Sequence, residues 1–589
     1  MNITIALLAA VMCSTACGKH AVGPTDNTSV KIHRVAELNL LPESVDSHRG
    51  EEAYSVLEPI KAYMQVVPAT TLKTATPIYA RVKMLADSTF LLMYQNANSA
   101  STVYYSRSND LCEWQEGQAL FAPYVVTTPA GSDMRKYSAG DAVVLSNGDI
   151  LAVAGFRANS GYRYYPECNG ISIRRSTDNG FSWGEEQIIY SGTVWEPYLL
   201  ELPNGKLQCY FTDAEPVLRN SGTSVVESTD GGATWSSTAV GDCYKVIRQY
   251  KYDNRGTAIY TDQMPSVRML NDGHTLLGFM EARLEDDASS ATSTYKMSLV
   301  YGRDDWKHLS EGETGPEDRQ TNLFKGAAGY VAQFASGETV ISCNIGSTFS
   351  MKLGSADGRT FNGATWASGW FQPFSGVGYW GSTEICSSHE IIGTMHSSTG
   401  IQIGKFYLNH RIDAPLQTTT LDGLGNEWQN DQALVLCSAS DYSEVAIRAA
   451  HDADNLCLLV ERSDRYLNSA DSTVLYVQGC SLDALDSSAA LKIVILPDGS
   501  FSCMRRNDRV WSETSLDRVK CKTTVVGTPD DGRSDVGYLS EIVIPFSVIG
   551  YVGGDYVAFD AESYDGDQTD TFTNAVSTKP QTWMRIKIK

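Results

Sequence analysis

Short apolar runs alternate with turn residues along the chain, and one arrangement of them returns six times between residues 79 and 389. Each copy is an apolar strand, a short turn and a second apolar strand, which is the pattern of a β-hairpin. The copies begin at Tyr79, Asp141, Pro197, Pro265, Tyr330 and Ser382. An open stack of six hairpins leaves exposed strand edges, whereas closure into a ring removes them. The pattern therefore predicts an all-β fold with a six-bladed β-propeller.

A second repeat, Ser-x-Asp-x-Gly-x-x-Trp, lies between the hairpins. It is intact at 176–183 and 228–235, and decayed copies surround Asp110, Asp304 and Asp357. In such a segment the Ser and Asp side chains can bond the amides of a tight turn, Gly supplies a positive φ, and Trp packs the hairpin beneath. The spacing of 52 to 74 residues between successive aspartates suits one four-stranded blade per copy.

The turn motif does not recur after His410, and the pattern of apolar segments changes there. Short apolar segments with turn residues between them follow from Ser443 to Pro545, as a β-sandwich requires. We therefore expect the propeller over 51–413 and a sandwich domain over 414–589. Residues 18–50 are polar and irregular, and we interpret them as a tether.

The first 17 residues hold an apolar run that is too short to span a bilayer, and it predicts a signal peptide and export. The segment Ser14-Thr15-Ala16-Cys17 resembles a bacterial lipobox, which would place a lipid on Cys17. Ser14 stands where Leu is usual, and no basic residue precedes the apolar run, so a plain secretory signal is the alternative. We expect a protein of the periplasm or cell surface, lipid-anchored to the outer membrane.

Charge and composition restrict the partners. The formal net charge is -22, which argues against nucleic acid and anionic membrane surfaces but suits a neutral glycan. The 13 cysteines form no CxxC pair, and the nine histidines are scattered singly, so neither predicts a metal site. We expect a monomer without a cofactor, although so acidic a chain is compatible with a structural calcium ion.

The innermost strands of a propeller converge on one axial pocket, so polar residues where they begin are candidate functional groups. These candidates include Arg81, Asp141, Glu196 and Tyr379. Glu196 follows Trp195 and precedes Pro197, and such apolar neighbours would raise the pKa of its carboxyl group. An ion-paired strand end is the alternative interpretation.

Glu281 stands where the fourth hairpin ends, and it could instead pair with Arg283. Two carboxyl groups on facing blades are what glycoside hydrolysis needs. One protonates the leaving oxygen, and the other attacks or stabilises the anomeric carbon. Tyr379 would place a phenol near that carbon or would be a stacked core aromatic. Arg81, Asp141 and Arg157 are candidate groups for binding sugar hydroxyls.

The first 410 residues resemble the sialidase superfamily, whose Asp-box repeats match the Ser-x-Asp-x-Gly-x-x-Trp copies. Within that superfamily, 195–211, 263–268 and 155–157 look most like glycoside hydrolase family 93, the exo-acting α-L-1,5-arabinanases. The resemblance implies a retaining glycosidase acting on arabinan. Glu196 would be the nucleophile and Glu281 the general acid/base, with Tyr379 nearby and Trp195 at the substrate.

Two alternatives remain open. In a sialidase, Tyr379 would be the nucleophile, and Arg81 with Arg268 and Arg283 would bind the substrate carboxylate. The other alternative is a surface glycan-binding protein without catalysis, because a fold does not entail an activity. Segments 420–428 and 447–460 resemble family 9 carbohydrate-binding modules, in which Trp428 and Trp511 would be candidates for sugar contact.

Overall fold

A computed structural model describes residues 30–34, 55–96, 101–158, 164–213, 221–252, 258–283, 295–387, 390–409, 412–428, 433–437, 443–479, 489–507, 510–515, 517–554, 556–566 and 583–589. The regular structure of these residues is almost entirely β-strand, with a 3-10 turn at Pro166–Cys168. None of the described segments is a helix of the length and hydropathy needed to cross a membrane. The predicted signal peptide, Cys17 and most of the predicted tether lie outside the described residues.

Within the described residues, twenty-six strands precede residue 410. They are β1 (Val56–Pro68), β2 (Pro77–Met84), β3 (Phe90–Asn96), β4 (Val103–Ser108), β5 (Gln118–Phe121), β6 (Tyr124–Thr128), β7 (Gly131–Val144), β8 (Ile150–Ala158), β9 (Gly170–Ser176), β10 (Gln187–Ser191), β11 (Val194–Glu201), β12 (Leu207–Asp213), β13 (Gly222–Ser228), β14 (Tyr244–Ile247), β15 (Gln249–Tyr252), β16 (Ala258–Thr261), β17 (Gln263–Met269), β18 (Thr275–Arg283), β19 (Tyr295–Arg303), β20 (Arg319–Gln320), β21 (Ala327–Gln333), β22 (Thr339–Ile345), β23 (Thr348–Gly354), β24 (Ser382–Ile385), β25 (Glu390–His396) and β26 (Gly400–Asn409).

These strands form six antiparallel sheets and one separate hairpin, β15–β16. In chain order the sheets are β2-β3-β4-β5 (sheet 1), β10-β9-β8-β7-β6 (sheet 2), β11-β12-β13-β14 (sheet 3), β17-β18-β19-β20 (sheet 4), β21-β22-β23 (sheet 5) and β1-β26-β25-β24 (sheet 6). Each predicted hairpin provides two neighbouring strands of one sheet, and in sheet 2 the edge strand β6 precedes them. The first strands of these hairpins, β2, β7, β11, β17, β21 and β24, contact one another in a closed order, because β24 also contacts β2. We call these six the inner strands.

Every inner strand carries or closely follows one non-glycine residue in the left-handed region of φ. These residues, the bulge positions, are Tyr79, Ala139, Glu196, Met264, Ala328 and Trp380, with φ between 52° and 63°. The ladder register shifts at five of the six, as β-bulges do. A left-handed residue with a side chain costs roughly 1–2 kcal/mol. Its recurrence on every inner strand marks a common structural requirement.

Beyond each bulge position the side chains alternate between the two faces of the strand. The residues two and four positions later therefore share a face, and they form a second and a third layer along the inner strands. The second layer is Arg81, Asp141, Tyr198, Ser266, Tyr330 and Ser382, and the third is Lys83, Val143, Leu200, Arg268, Ala332 and Glu384. The first layer is an apolar cluster of five bulge residues and Ile78, and Glu196 is the bulge residue outside it.

A side chain at the end of the second strand of one sheet accepts a hydrogen bond from the bulge amide of the next sheet. We call these bonds latches. Their four pairs are Ala139 N–H to Gln95 Oε1 (2.5 Å), Met264 N–H to Thr212 Oγ1 (2.8 Å), Ala328 N–H to Glu281 Oε1 (2.6 Å) and Trp380 N–H to Asn344 Oδ1 (2.9 Å). The latches join neighbouring sheets at their inner ends.

The two intact Ser-x-Asp-x-Gly-x-x-Trp copies form turns. Ser176 Oγ donates to Asp178 Oδ1 (2.8 Å) and accepts from Gly180 N–H (2.8 Å), and Gly180 has φ 78°. Ser182 N–H donates to the same aspartate oxygen (2.9 Å). The Ser182 hydroxyl donates to the other aspartate oxygen (2.6 Å). This bond, followed by the others, lowers the pKa of Asp178 to about 2. The second copy repeats the pattern around Asp230.

The C-terminal part begins after β26 and contains strands β27 (Ile412–Ala414), β28 (Leu434–Cys437), β29 (Ser443–His451), β30 (Asn455–Asp464), β31 (Ser472–Gln478), β32 (Leu491–Ile495), β33 (Phe501–Asn507), β34 (Val510–Glu513), β35 (Lys520–Val526), β36 (Gly537–Pro545), β37 (Tyr556–Tyr564) and β38 (Met584–Ile588). They form a sheet of order β27-β38-β37-β31-β32-β33-β34 and a sheet of order β28-β29-β30-β36-β35. One apolar core, which includes Val460, Leu475, Ile493 and Ile542, draws on both sheets.

Part of the predicted tether packs on this C-terminal part. Ile32 is buried in a cluster with Trp428 and Leu459, and His33 Nδ1 lies 2.9 Å from Glu461 Oε1. Trp428 is therefore a buried core residue. Trp511, the other candidate for sugar contact, is half-buried beside the Tyr476 ring, with ring centroids 5.6 Å apart.

The latch of sheet 5 provides a test of the architecture. Replacing Asn344 with Leu leaves the Trp380 N–H and the Gly378 carbonyl, which now accepts from Asn344 Nδ2 at 2.8 Å, without partners. We expect a loss of about 2–4 kcal/mol in the free energy of unfolding, measured by chemical denaturation. The exposed Asn109→Ala control should change it by less than about 0.5 kcal/mol. Equal midpoints for the two variants would contradict the latch.

Candidate active site

Glu196 occupies the bulge position of β11, where its backbone has φ 53°. Its Oε2 accepts a hydrogen bond from Thr212 Oγ1 at 2.9 Å. Burial raises the pKa of this carboxyl group above 4.5, and the Thr212 hydroxyl and the Arg157 and Arg81 charges oppose that rise. The local environment thus desolvates Glu196 and still supplies partners for its charged form.

Glu281 lies near the end of β18, in the sheet next to that of Glu196. Its Oε1 accepts the latch from Ala328 N–H, which leaves Oε2 for other contacts. Burial and then the Glu196 charge raise the pKa of Glu281 to about 8, against a smaller opposing effect of the Ala328 amide. Glu196 is on β11 of sheet 3, and Glu281 is on β18 of sheet 4, so the two carboxyl groups come from adjacent sheets rather than from the facing blades we expected.

Tyr79 is the bulge residue of β2 and lies among these charges. Burial raises its pKa well above 10, and the charges of Glu196, Glu281 and Asp141 raise it further. Its ring stacks on Trp380 with centroids 5.6 Å apart, and its hydroxyl donates to Met264 Sδ at 3.9 Å. Tyr79 is therefore a neutral phenol in the electrostatic environment of the two carboxyl groups.

The second layer beneath is a buried polar cluster. The Arg81 guanidinium lies 4.5 Å from the ring centre of Tyr79 and 4.9 Å from that of Tyr330. It donates to the carbonyl groups of Trp380 (2.7 Å) and Gly381 (3.0 Å), and its Nε lies 4.0 Å from Asp141 Oδ2. Tyr330 Oη also donates to Asp141. Arg81 and Asp141 are each 3% exposed, so both are satisfied inside the protein.

A small cavity separates these layers. Its volume is about 10 Å³, room for one water molecule, and its lining includes Tyr79, Asp141, Glu196 and Tyr330. A sugar ring cannot enter it.

The third layer continues the alternation of charge. Lys83 Nζ lies 3.6 Å from Asp141 Oδ1 and 3.6 Å from Glu384 Oε2. Arg268 is exposed. Burial raises the pKa values of Glu384 and Tyr198, and the charges of Lys83 and Arg268 oppose that rise. Arg268 lies on β17 two layers beyond Met264, in the layer of Lys83 and Glu384.

The remaining predicted residues differ in their surroundings. Arg157 is half-buried, with Nη2 3.4 Å from Ser138 Oγ, and its charge acts on Glu196. Trp195 is half-buried and pairs with Thr212 across the ladder of β11 and β12. Tyr379 is 36% exposed, and its hydroxyl lies 2.6 Å from Ser347 Oγ. Arg283 ends β18, and its side chain lies outside the described part of the structure.

The structure thus brings together Glu196, Glu281, Arg81, Asp141 and Arg157. Arg81 is engaged by backbone carbonyls and Asp141, while Arg268 lies in the third layer, so these two do not converge on one substrate carboxylate. Among the described residues, one group of carboxylates has the spacing of a metal site: Asp464, Asp471 and Asp565. Arg462 Nη2 lies within 2.9 to 3.9 Å of all three, so a guanidinium group already occupies the side of the cluster and offsets one of its charges.

Two residues of the site were missed by the sequence reasoning, Tyr79 and Thr212. Counting back two positions from Arg81 along β2 would have indicated Tyr79, because alternate residues share a face. Thr212 carries no such signal, since nothing in its neighbours distinguishes it from other strand threonines.

No known family model matches the sequence, and no curated protein matches it. Among solved structures, the chain is similar to a GH93 α-L-arabinofuranosidase of Fusarium graminearum (TM-score 0.41, 14% identity, 59% of this chain and 98% of that one). It is also similar to the α-L-arabinanase of Penicillium chrysogenum (TM-score 0.38, 14%, 60% and 98%). A third similar structure is a Hadza microbial sialidase (TM-score 0.40, 14%, 58% and 68%). All three are named as glycosidases.

The raised pKa of Glu281 predicts a pH-dependent stability. The folded protein keeps this proton up to about pH 8, whereas an unperturbed carboxyl group loses it near 4.5. The stability from this group is therefore complete below pH 4.5 and is lost as the pH rises through about 8. Glu281→Gln keeps an acceptor for Ala328 N–H, and we expect it to melt at least about 2 °C above the unmodified protein at pH 9.

At pH 5 this difference in melting temperature should shrink. The exposed Glu185→Gln control should show no such pH dependence. A constant difference from pH 5 to 9 would contradict the raised pKa of Glu281.

Proposed function

We propose that this protein is a glycoside hydrolase whose six sheets are the blades of a closed propeller, with Glu196 and Glu281 as its catalytic pair. The observation that carries the proposal is the division of roles between the two carboxyl groups. Glu281 holds its proton to about pH 8, while Glu196 has a hydroxyl and two guanidinium groups that favour its ionised form. Two carboxyl groups with separated pKa values are the arrangement that acid/base glycosidases use.

In the first step, the Glu196 carboxylate attacks the anomeric carbon and forms a glycosyl ester. The bond from that carbon to the leaving oxygen breaks, and Glu281 gives its proton to the oxygen. Glu281 is suited to this step because it is protonated at neutral pH.

In the second step, Glu281 is ionised and takes a proton from water. The water oxygen attacks the anomeric carbon, the ester bond to Glu196 breaks, and both carboxyl groups return to their starting states. The product keeps the anomeric configuration of the substrate. The Glu196 charge helps return the proton to Glu281, because a neighbouring negative charge raises the pKa of Glu281.

As substrate we propose an arabinan, cleaved from its chain end. The resemblance of 195–211 and 263–268 to exo-acting arabinanases supports this choice. A neutral sugar also suits the site, because Arg81 is already bonded to carbonyl groups and to Asp141. We further propose that the protein acts as an exported monomer held by a lipid on Cys17, without a cofactor, and that residues 414–589 form a carbohydrate-binding sandwich.

The first test removes the nucleophile. Glu196→Gln keeps the size and hydrogen-bonding capacity of the side chain, and we expect hydrolysis of debranched arabinan to fall at least about 10³-fold with an unchanged circular dichroism spectrum. Released sugar is measured with branched and debranched arabinan, arabinogalactan and sialyllactose. Release of sialic acid by the unmodified protein would replace arabinanase with sialidase. Binding without any release would identify a glycan-binding protein, and full activity of the variant would refute the role of Glu196.

The second test separates the acid from the nucleophile. Glu281→Gln should lose kcat/KM mainly on natural linkages, because an aryl glycoside with a good leaving group needs no protonation in the first step. Its kcat should fall on both substrates, because the second step still needs Glu281 as the base. Glu196→Gln should lose activity on both substrates.

The kcat/KM of the unmodified protein should fall as the pH rises through about 8, the pKa of Glu281. It should also fall at acidic pH, as Glu196 becomes protonated. Equal losses of kcat/KM on both substrates for Glu281→Gln would contradict its role as the acid.

A further inference from the structure

We propose that Thr212 is a positioning residue that orients the Glu196 carboxylate and ties it to the sheet that carries Glu281. The proposal rests on the proposed hydrolase function for its catalytic meaning. The structural part of the proposal does not depend on the reaction: one hydroxyl group forms both an inter-sheet latch and a hydrogen bond to a carboxylate.

The hydroxyl of Thr212 has two partners at hydrogen-bond distance. It accepts from Met264 N–H at 2.8 Å, and it donates to Glu196 Oε2 at 2.9 Å. A hydroxyl has one proton to donate, and an amide can only donate, so the amide of Met264 directs that proton to Glu196. Thr212 is fully buried, which leaves solvent no part in this chain of bonds.

These bonds connect the two catalytic sheets. Thr212 pairs in its ladder with Trp195, the residue before Glu196. Met264 follows Gln263, which pairs with Glu281 across β17 and β18. A displacement of sheet 3 against sheet 4 would therefore break the Thr212 bonds and change the separation of the two carboxyl groups together.

The other latches show what is particular to Thr212. Gln95 and Asn344 accept bulge amides in the same way, but the Asn344 amide donates to the carbonyl of Gly378. Among the four described latches, Thr212 is the one whose hydrogen bond continues to the carboxylate of Glu196. This gives a matched control, because Gln95→Leu removes a latch and leaves the Glu196 partner in place.

The first experiment needs no substrate. Thr212→Val removes a donor to the ionised Glu196, so the folded-state pKa of Glu196 should rise further above 4.5. A raised folded-state pKa means stability that is lost as the pH rises. The difference in melting temperature between Thr212→Val and the unmodified protein should therefore widen from pH 4 to pH 8.

In a Glu196→Gln background the same difference should be constant over this range, because the titrating group is gone. Gln95→Leu should lower the melting temperature equally at every pH. A pH-independent effect of Thr212→Val in both backgrounds would overturn the proposal, and this holds even if the protein hydrolyses no glycoside.

The second experiment uses the substrate that the activity panel identifies. We expect Thr212→Val to move the acidic limb of the kcat/KM profile upward by about one pH unit, since a hydrogen bond to a charged group has about that effect. It should lower kcat about 10- to 100-fold with little change in KM. Thr212→Ser, which keeps the hydroxyl, should restore the limb and most of kcat.

Gln95→Leu should leave both limbs where they are. An acidic limb that does not move in Thr212→Val, or that moves equally in Gln95→Leu, would reduce Thr212 to a structural latch. If the unmodified protein hydrolyses no glycoside of the panel, the hydrolase proposal is refuted. The conclusion of the melting experiment on Thr212 and Glu196 is then unaffected.

Discussion

The repeated bulge at the start of each inner strand is the constraint on which the rest of this structure depends. It places six residues in a costly left-handed conformation, and it turns the following alternate side chains toward their neighbours on the other inner strands. Four latches hold four of these bulges in place by giving their amides acceptors on the preceding sheet. Backbone strain and inter-sheet bonding are thus concentrated at the same level, which is also the level of Glu196.

The deeper layers explain why two carboxyl groups can remain distinct at that level. Arg81 and Lys83 are paired with Asp141 and Glu384 and with carbonyl groups, so their positive charges are largely used below the first layer. Arg81 and Arg157 still favour the charged form of Glu196. Burial and the repulsion of Glu196 raise the pKa of Glu281, and among the described residues the Ala328 amide is the group that opposes them, so Glu281 keeps its proton. The two acids thus differ because Arg81 of sheet 1 and Arg157 of sheet 2 act on the charge of Glu196.

Glu281 also shows how a functional group can occupy a structural position. Gln95, Thr212 and Asn344 fill the corresponding latches with neutral acceptors. At this latch the carboxyl group of Glu281 accepts the Ala328 amide with Oε1, and its Oε2 is not used by the latch. The proposed catalytic acid therefore needs no additional element of the fold, and we expect its substitution by Gln to preserve the contact between sheets 4 and 5.

The sequence by itself determined the all-β character, the six hairpins and the two glutamates, because apolar alternation and turn residues are local signals. Tertiary structure alone decided that Tyr79 and Thr212 join Glu196 and that Arg268 lies two layers away. It also decided that Tyr379 bonds Ser347 at the surface. These outcomes depend on which side chains of separate sheets come into contact, and the bulges determine those contacts. The bulges themselves could not be predicted from the sequence, because their left-handed positions are not occupied by glycine.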